Sequence, residues 1–432
     1  MSYASRVRFS LSEWITLLLA AVPPRSRATF VELLCACMIL PEGWVTRAIS
    51  AIHRQKHWTT YYKLLQRGSV KVLPLAQALF RLVLNVLPDG IITLVIDDTL
   101  VPRTSKDAPG CDIRHDHAKK SNRPQYLLSQ CWVTLGVSVQ TRSGINLALP
   151  ILSRLVPNVG NRNKLSIARA LVRAIAPMAT RPIRLLFDSW FMRARLVMPL
   201  LRRGIQVIGQ ARRDTALFLP PVAPANPTKP PRGRTRKYGI KLTLEAVDAL
   251  PVTQLTLKLY GKEQLIRVRS VVALAQFLKG TKVRAVWCEF YDADKCRWSK
   301  ARLLLATELE LTAEEILRAY ARRWSIEPLF HNLKRWWDVN NLWQQSRRVL
   351  ELWMQIRSMA WTLTQLLSLT VEQAAFPLAA VAPWRFKQSF TAGLVAQWMR
   401  VEFTGLPFRD GFDRKSQKSS FPKERKDPRM RM

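Results

Sequence analysis

At 432 residues and 48% hydrophobic side chains, the chain is long enough for two or three domains and carries ample material for packed cores, which excludes a disordered protein. Lys and Arg number 68 against 30 acidic residues, a formal charge of +38 with a pI near 11.0, and such an excess points to a polyanionic partner, nucleic acid first. The longest apolar runs, Trp14 to Val22 and Met359 to Leu369, fall short of the roughly 18 residues that a membrane span needs.

The start of the chain does not read as a secretory signal. The apolar run from Ile15 to Val22 follows Glu13 and leads into Pro23-Pro24 rather than a small-residue cleavage site. The expected compartment is the cytosol. Cys35, Cys37, Cys111, Cys131, Cys288 and Cys296 show neither a Cys-x-x-Cys pair nor zinc spacing, so they are expected to be reduced.

Residues 9 to 90 read as helical, with Ser10-Leu-Ser-Glu13 as a capping box and apolar periodicity over Trp14 to Val22, Phe30 to Leu40 and Val72 to Leu87. Between them, residues 40 to 63 mix Arg47, Arg54, Lys56 and Lys63 with hydroxyl and aromatic side chains across a predicted helix-turn-helix. That mixture suits phosphate and base-edge contacts, and equally an ordinary helix with a solvated basic face. Ile91 to Ile96 is a β-branched run of the buried-strand type that ends in Asp97-Asp98-Thr99. Strands over Leu127 to Val139 and Ile145 to Leu155, a helix over Leu165 to Met178, a strand Ile183 to Phe187 ending in Asp188, a helix near Arg193 to Arg203 and a strand Gln206 to Gln210 follow. Three strands, then helix, strand, helix and strand, is the ribonuclease-H-like order.

Asp97 and Asp188 thus stand at two predicted strand ends, 91 residues apart (188 − 97). A hard cation such as Mg²⁺ takes oxygen ligands near octahedral angles, and rigid strand ends can supply them. Either aspartate alone reads as a cap or turn residue. A proline-rich, basic excursion spans Leu217 to Gly239. Five strands are then predicted over Ile240 to Val247, Thr253 to Tyr260, Glu263 to Val272, Val283 to Tyr291 and Ala301 to Thr307, forming a small β-rich insertion. Its Trp287 and Trp298 could stack on an unpaired base or simply pack between strands.

Residues 308 to 337 read as helical. At about 100° per residue, Tyr320, Arg323, Glu327 and Lys334 fall within roughly a 60° arc, and Lys334 lies about 21 Å along the axis from Tyr320, a reach that fits a long polymer. Arg323 and Glu327 could instead be a solvated i, i+4 pair. Pro328 predicts a kink or break at Glu327. Leu350 to Leu369 is a further apolar helix, and residues 408 to 432 are a basic tail.

These residues resemble the DDE-type bacterial insertion-sequence transposases, in the branch with a β-rich insertion and a Tyr-x2-Arg-x3-Glu-x6-Lys signature, which Tyr320, Arg323, Glu327 and Lys334 satisfy at every spacing. Val-Ile-Asp97-Asp98-Thr99 is similar to the first acidic block and Leu-Leu-Phe-Asp188-Ser-Trp-Phe to the second, and the resemblance covers about residues 90 to 370. It implies an α/β, ribonuclease-H-like mixed sheet core with a β-rich insertion behind an all-α N-terminal domain. The expected division is 1–90 helical and DNA-binding, 91–214 the first part of the core, 215–307 the insertion, 308–370 the C-terminal helical part of the core, and 371–432 a helical region with a basic tail.

The resemblance further implies metal-dependent cleavage at element ends and strand transfer into target DNA. Asp97, Asp188 and Glu327 would be the catalytic metal triad for two Mg²⁺ ions, with Mn²⁺ able to substitute and Asp98 the alternative first ligand. Tyr320, Arg323 and Lys334 would bind phosphates, and Trp287, Trp298, Arg47, Arg54 and Lys56 complete the expected DNA contacts. The implied partner is DNA, bound by a homodimer in a bacterial nucleoid, with neither membrane nor small-molecule substrate. A ribonuclease-H-like nuclease without strand transfer, or a DNA-binding descendant, is the alternative. Arg114-His115-Asp116-His117 resembles a basic loop of some members, and Pro328 departs from the usual signature.

Overall fold

The computed structural model describes residues 2–87, 90–116, 124–141, 143–157, 162–222, 236–371, 376–385 and 390–405. Five helices open the chain: α1 (Tyr3–Leu19), α2 (Arg27–Ile39), α3 (Val45–Ser50), α4 (Thr59–Arg67) and α5 (Val72–Val86). The expected capping box at Ser10–Glu13 lies inside α1; the helix begins earlier, where the Ser2 hydroxyl accepts from the Ser5 N–H. The predicted helix-turn-helix is loosely built, because the connection between α3 and α4 runs from residue 51 to 58, longer than the tight turn of that motif.

The middle of the chain runs β1 (Ile92–Pro102), β2 (Cys111–His115), β3 (Tyr126–Gln140), β4 (Asn146–Leu155), α6 (Arg162–Ile175), β5 (Ile183–Phe187), α7 (Ala194–Leu201) and β6 (Gln206–Ala211). β4 pairs antiparallel with β3, β3 antiparallel with β1, and β1 and β5 lie parallel, as do β5 and β6. This is the ribonuclease-H-like sheet that the chain order predicts, with β2 sharing the outer edge of β3.

Next come β7 (Leu217–Phe218), α8 (Leu244–Asp248), β8 (Thr253–Leu259), β9 (Lys262–Ala275), β10 (Thr281–Asp292), β11 (Arg297–Trp298) and β12 (Arg302–Ala306). The strand expected over Ile240 to Val247 is instead α8, because the Thr243 hydroxyl caps the Ala246 N–H and Glu245 sits in the first turn. The insertion continues the core sheet rather than standing apart. β12 pairs with β6, β10 with β12 and β9 with β10, giving a mixed sheet of twelve strands among the described residues.

The remaining helices are α9 (Ala313–Ala321), α10 (Ile326–Arg335), α11 (Arg347–Thr370), α12 (Leu378–Val381) and α13 (Ala392–Phe403). The buried apolar core is continuous from Tyr3 to Phe403, across the boundary expected near residue 90. α11 is buried along almost its whole length between the N-terminal helices and β4. Its Arg357, fully buried, donates to the carbonyls of Pro41, Glu42 and Trp337, and Trp353 Nε1 donates to Gly43 O at 2.8 Å. Gly43 is required there, since a Cβ would stand 2.6 Å from the Asp338 carbonyl. The loop before α3 is thereby fastened to the far end of α10. All six cysteines are free thiols, and no single helix among the described residues is long and apolar enough to cross a membrane.

Candidate active site

β1 does not stop at Ile96. It runs on to Pro102 in the ladder with β3, where Asp97 faces Thr134, but its pairing with β5 ends at Val95. The parallel register sets Ile92 beside Ile183 and Val95 beside Leu186, an offset of 91 residues, the same as the gap between Asp97 and Asp188. Extended by two residues, that register brings the two aspartates level, on strands about 4.8 Å apart. Asp188, one residue past β5, turns its Oδ1 to accept from the N–H groups of Trp190 (3.0 Å) and Phe191 (3.3 Å).

The two carboxyls are expensive to ionise together. Burial, then the charges of Asp188 and Asp98, push Asp97 up to about 8, against which Arg323 and the Asp98 N–H pull down. Burial also raises Asp188, opposed by the Phe191 N–H and by Arg323. Asp98 is committed elsewhere: its Oδ2 lies 2.8 Å from Lys164 Nζ on α6 and accepts from Cys131 Sγ at 3.3 Å. Lys164 in turn lies over the ring of Trp190, 5.1 Å from its centroid.

The second half of the site is helical. The capping box of Thr312 and Glu315 starts α9, and a 3₁₀ turn over Arg322–Ser325 joins it to α10. The break predicted at Glu327 therefore falls in the turn just before α10, and Pro328 sits within that helix's first turn, where a missing N–H is tolerated. The turn is pinned to β3: Arg322 Nη2 donates to Ser138 O at 2.7 Å, and the Ser325 and Ser138 hydroxyls are 3.4 Å apart.

Arg323 lies between the halves. Its Nη1 is 3.3 Å from Asp97 Oδ2 and its Nη2 is 2.7 Å from Glu327 Oε1. Its side chain is 13% exposed and that of Glu327 39%, so this is not the solvated helix pair of the simpler sequence reading. Burial weighs against the guanidinium's charge, but Tyr320, Glu327 and Asp97 hold its pKa above the ordinary value. It also lies 5.8 Å from the centroid of the Tyr320 ring, whose phenol burial pushes upward.

Asp97, Asp188, Tyr320, Arg323 and Glu327 are thus gathered from β1, the end of β5, α9, the 3₁₀ turn and α10. Lys334 stands two turns further along α10, at its end. Trp287, expected to contact DNA, is 6% exposed and packed within β10. Trp298 is half-buried, with Arg267 lying 4.7 Å from its ring centroid and Tyr291 against it at 5.3 Å, so strand packing claims it too. Arg47, paired to Glu42 at 3.7 Å, and Arg54 are exposed and Lys56 is half-buried; none of them joins the carboxylate cluster. His115 closes β2 against Gln125 and Tyr126, and His117 lies outside the described residues.

A hard divalent cation suits the donors that meet here. Two adjacent carboxylates resist joint ionisation, and a dication would relieve that repulsion. Glu327, the third oxygen donor, is paired with Arg323, and no group of three acidic, thiol or imidazole side chains converges on one point among the described residues.

A family model for DDE superfamily endonucleases matches residues 25–273, more than half of the chain. The chain belongs to that family. The match includes Asp97 and Asp188 and ends before Glu327, so in this endonuclease the glutamate rests on the signature spacing and on the geometry above. No curated protein matches. Among solved structures the endonuclease is similar to a piggyBac transposase synaptic complex with hairpin DNA, at 10% identity and a TM-score of 0.36, over 86% of this chain and 69% of that one.

Sequence reasoning missed two residues of the neighbourhood. Lys164 carried no signal, being one basic residue among many. Tyr260 stood at the end of a predicted strand, next to Gly261, a hairpin signal with nothing to say where its tip would reach.

Proposed function

We propose that this endonuclease is a transposase that cleaves DNA at the ends of an insertion element and joins the freed 3′-hydroxyls to target DNA. The observation that carries the reading is that Asp97, whose ionisation the nearby Asp188 opposes, is tied through Arg323 to Glu327 across the strand–helix boundary. Asp97 and Asp188 would hold a divalent cation, Mg²⁺ or Mn²⁺, with Glu327 as the further ligand. Such ions, when bound, activate the attacking oxygen and stabilise the leaving one.

The chain's own residues do the rest. Lys164 neutralises Asp98 and leaves Asp97 as the aspartate of β1 that faces Arg323. Arg323 exchanges its carboxylate partners for a DNA phosphate, which releases Glu327 into the site. Tyr320 supports Arg323 through its ring face, and Lys334 takes a phosphate further along the strand. Arg47, Arg54 and Lys56 grip the DNA at a distance from the chemistry, and paired-end cutting calls for two copies on DNA.

The deciding experiment incubates wild-type and Glu327→Gln protein on labelled DNA carrying the inverted repeats that flank the gene, with Mg²⁺ and then with chelator. Metal-dependent nicking at the repeat boundary by wild type, reduced at least about 10³-fold in the variant with end binding retained, is the expected result. Cleavage by the variant at a normal rate would falsify the assignment of the glutamate. A strand-transfer assay on the same DNA separates a transposase from a nuclease that only cuts. With a formal charge of +38, binding should weaken by about 10² or more between 50 and 200 mM salt. A dissociation constant that stays flat over that range counts against a phosphate-dominated interface.

A further inference from the structure

Arg114, on β2, carries a guanidinium that nothing in its surroundings satisfies. Its Nε and Nη2 are sealed from solvent and have no hydrogen-bond partner. The other arginines with a sealed, unpartnered Nε among the described residues are held through their remaining nitrogens: Arg8 by Glu402, Arg269 by Asp248 and Glu289, Arg322 by the Ser138 carbonyl and Arg357 by three carbonyls. Arg114 has neither hydrogen bond nor ion pair among the described residues. Donors left unmet in a sealed place are costly, and a charged donor more so.

The neighbours of Arg114 point to an anion. Its register opposite Leu127 puts it on the face of the sheet shared by Ser129 and Cys131, and its guanidinium lies within electrostatic reach of Cys131 and Lys164. Lys164 is 2.8 Å from Asp98 Oδ2, while Asp112, two residues before Arg114, accepts from the Ile113 N–H. Two cations that repel each other thus stand by one ion-paired carboxylate, which offsets only one of them. Nε and Nη2 are the side edge of the guanidinium fork, the pair that grips an oxyanion with two parallel bonds. β2 pairs on one side only and Arg114 is half-buried, so its long stem can turn that edge outward. The place is fixed relative to the carboxylates as well: Asp98 follows Asp97, and Lys164 lies over Trp190, whose N–H donates to Asp188.

Resting on the reading of this site as one that cleaves DNA, we propose that Arg114 and Lys164 form a phosphate subsite, separate from Arg323, that holds the DNA backbone phosphate next to the scissile one. Consecutive residues of a strand face opposite ways, so Asp97 meets Arg323 on one side of β1 and Asp98 meets Lys164 on the other. The strand is thereby held on both sides of the carboxylates, and Arg114 acts as a positioning residue.

The test measures binding of the full chain to end duplexes with Ca²⁺ in place of Mg²⁺, each duplex carrying one neutral methylphosphonate at a different position around the cleavage point. Arg114→Gln should bind the unmodified duplex about tenfold more weakly and lower the slope of log affinity against log salt by about one. At one position beside the scissile phosphate, the methylphosphonate should weaken wild type by a similar factor and leave Arg114→Gln unaffected, and Arg114→Lys, which keeps the charge, should retain part of that coupling. Without DNA, Arg114→Gln should melt at or above the wild-type temperature, because it loses a cation whose donors are unmet. Losses that simply add at every position overturn the subsite, and a lowered melting temperature alongside them marks Arg114 as structural. Inorganic phosphate that raises the melting temperature of wild type and not of Arg114→Gln, with no coupling at any DNA position, assigns the place to a free anion and overturns its role on DNA. Coupling at one position, with no cleavage by wild type in Mg²⁺, supports the subsite and instead defeats the reading of the site as a cleaving one.

Discussion

Asp97→Asn should abolish cleavage, by at least about 10³-fold, and at the same time make the metal-free protein more stable at pH 8. Both effects come from the same carboxyl. Its neighbours Asp188 and Asp98 and its burial lift Asp97 from 3.8 to about 8, so the folded protein holds a proton there that the unfolded chain has lost. Between those values the native state binds more protons than the unfolded one, and stability therefore falls as pH rises. The contribution of the protonated carboxyl is fully present below about 4 and gone above about 8. Asparagine cannot ionise, so the variant's stability should be flatter over this window and higher than that of wild type at its alkaline end. Thermal melts in chelator from pH 5 to 8.5 read this directly. A variant less stable than wild type at pH 8 means that Arg323 compensates the Asp97 charge more fully than its 3.3 Å contact implies.

Arg323→Gln should separate metal binding from catalysis. In the DNA-free protein the guanidinium lies against Asp97 and Glu327, the carboxylates proposed to hold the metal. Without that competitor, Mn²⁺ should bind the free protein about tenfold more tightly, a gain of about 1.4 kcal/mol. Cleavage should nevertheless fall by at least about 10²-fold, since no guanidinium remains to meet the phosphate. In wild type, addition of end DNA should tighten Mn²⁺ binding, because the phosphate draws Arg323 away from Glu327; in the variant that coupling should be lost. Mn²⁺ titration followed by electron paramagnetic resonance, with and without DNA, measures both. Equal or weaker Mn²⁺ affinity in Arg323→Gln would show that the arginine supports the metal site rather than competing with it.

The two halves of the site differ in how far they can be read from sequence. Asp97 and Asp188 were legible because each ends a compact apolar run, and the order of strands and helices places those runs side by side. The spacing of Tyr320, Arg323 and Glu327 was legible because helical periodicity is local. The choice between Asp97 and Asp98 was not, since two adjacent identical residues differ only in what lies on either side of the strand. The structure separates them by their partners: Lys164 and Cys131, contributed by α6 and β3, lie on Asp98, and Arg323 lies on Asp97. The surroundings of Trp287 and Trp298 were not legible for a related reason: an aromatic on a strand has the same local pattern whether its outer face meets solvent, an arginine or another strand.

Local patterns also misled where short capping signals competed. Ile240 to Val247 alternates like a strand, but Thr243 and Glu245 begin a helix there; Ser10 to Glu13 has the spacing of a cap, but the helix already runs through it from Ser2. What the sequence by itself determined is the charge that calls for a polyanion, the ribonuclease-H-like order of elements, the two aspartates at the end of their shared register and the cationic and acidic residues on one helical arc. These depend on composition and on periods of two and 3.6 residues, which neighbouring positions set. Only the tertiary structure decided that the insertion extends the core sheet through β12 and β6, that Arg323 ties Glu327 to Asp97, and that the β8–β9 hairpin carries Tyr260 to the same place. Each of these joins residues far apart in the chain, and the energy that selects them, burial and charge pairing, depends on which surfaces meet and not on any local run of residues.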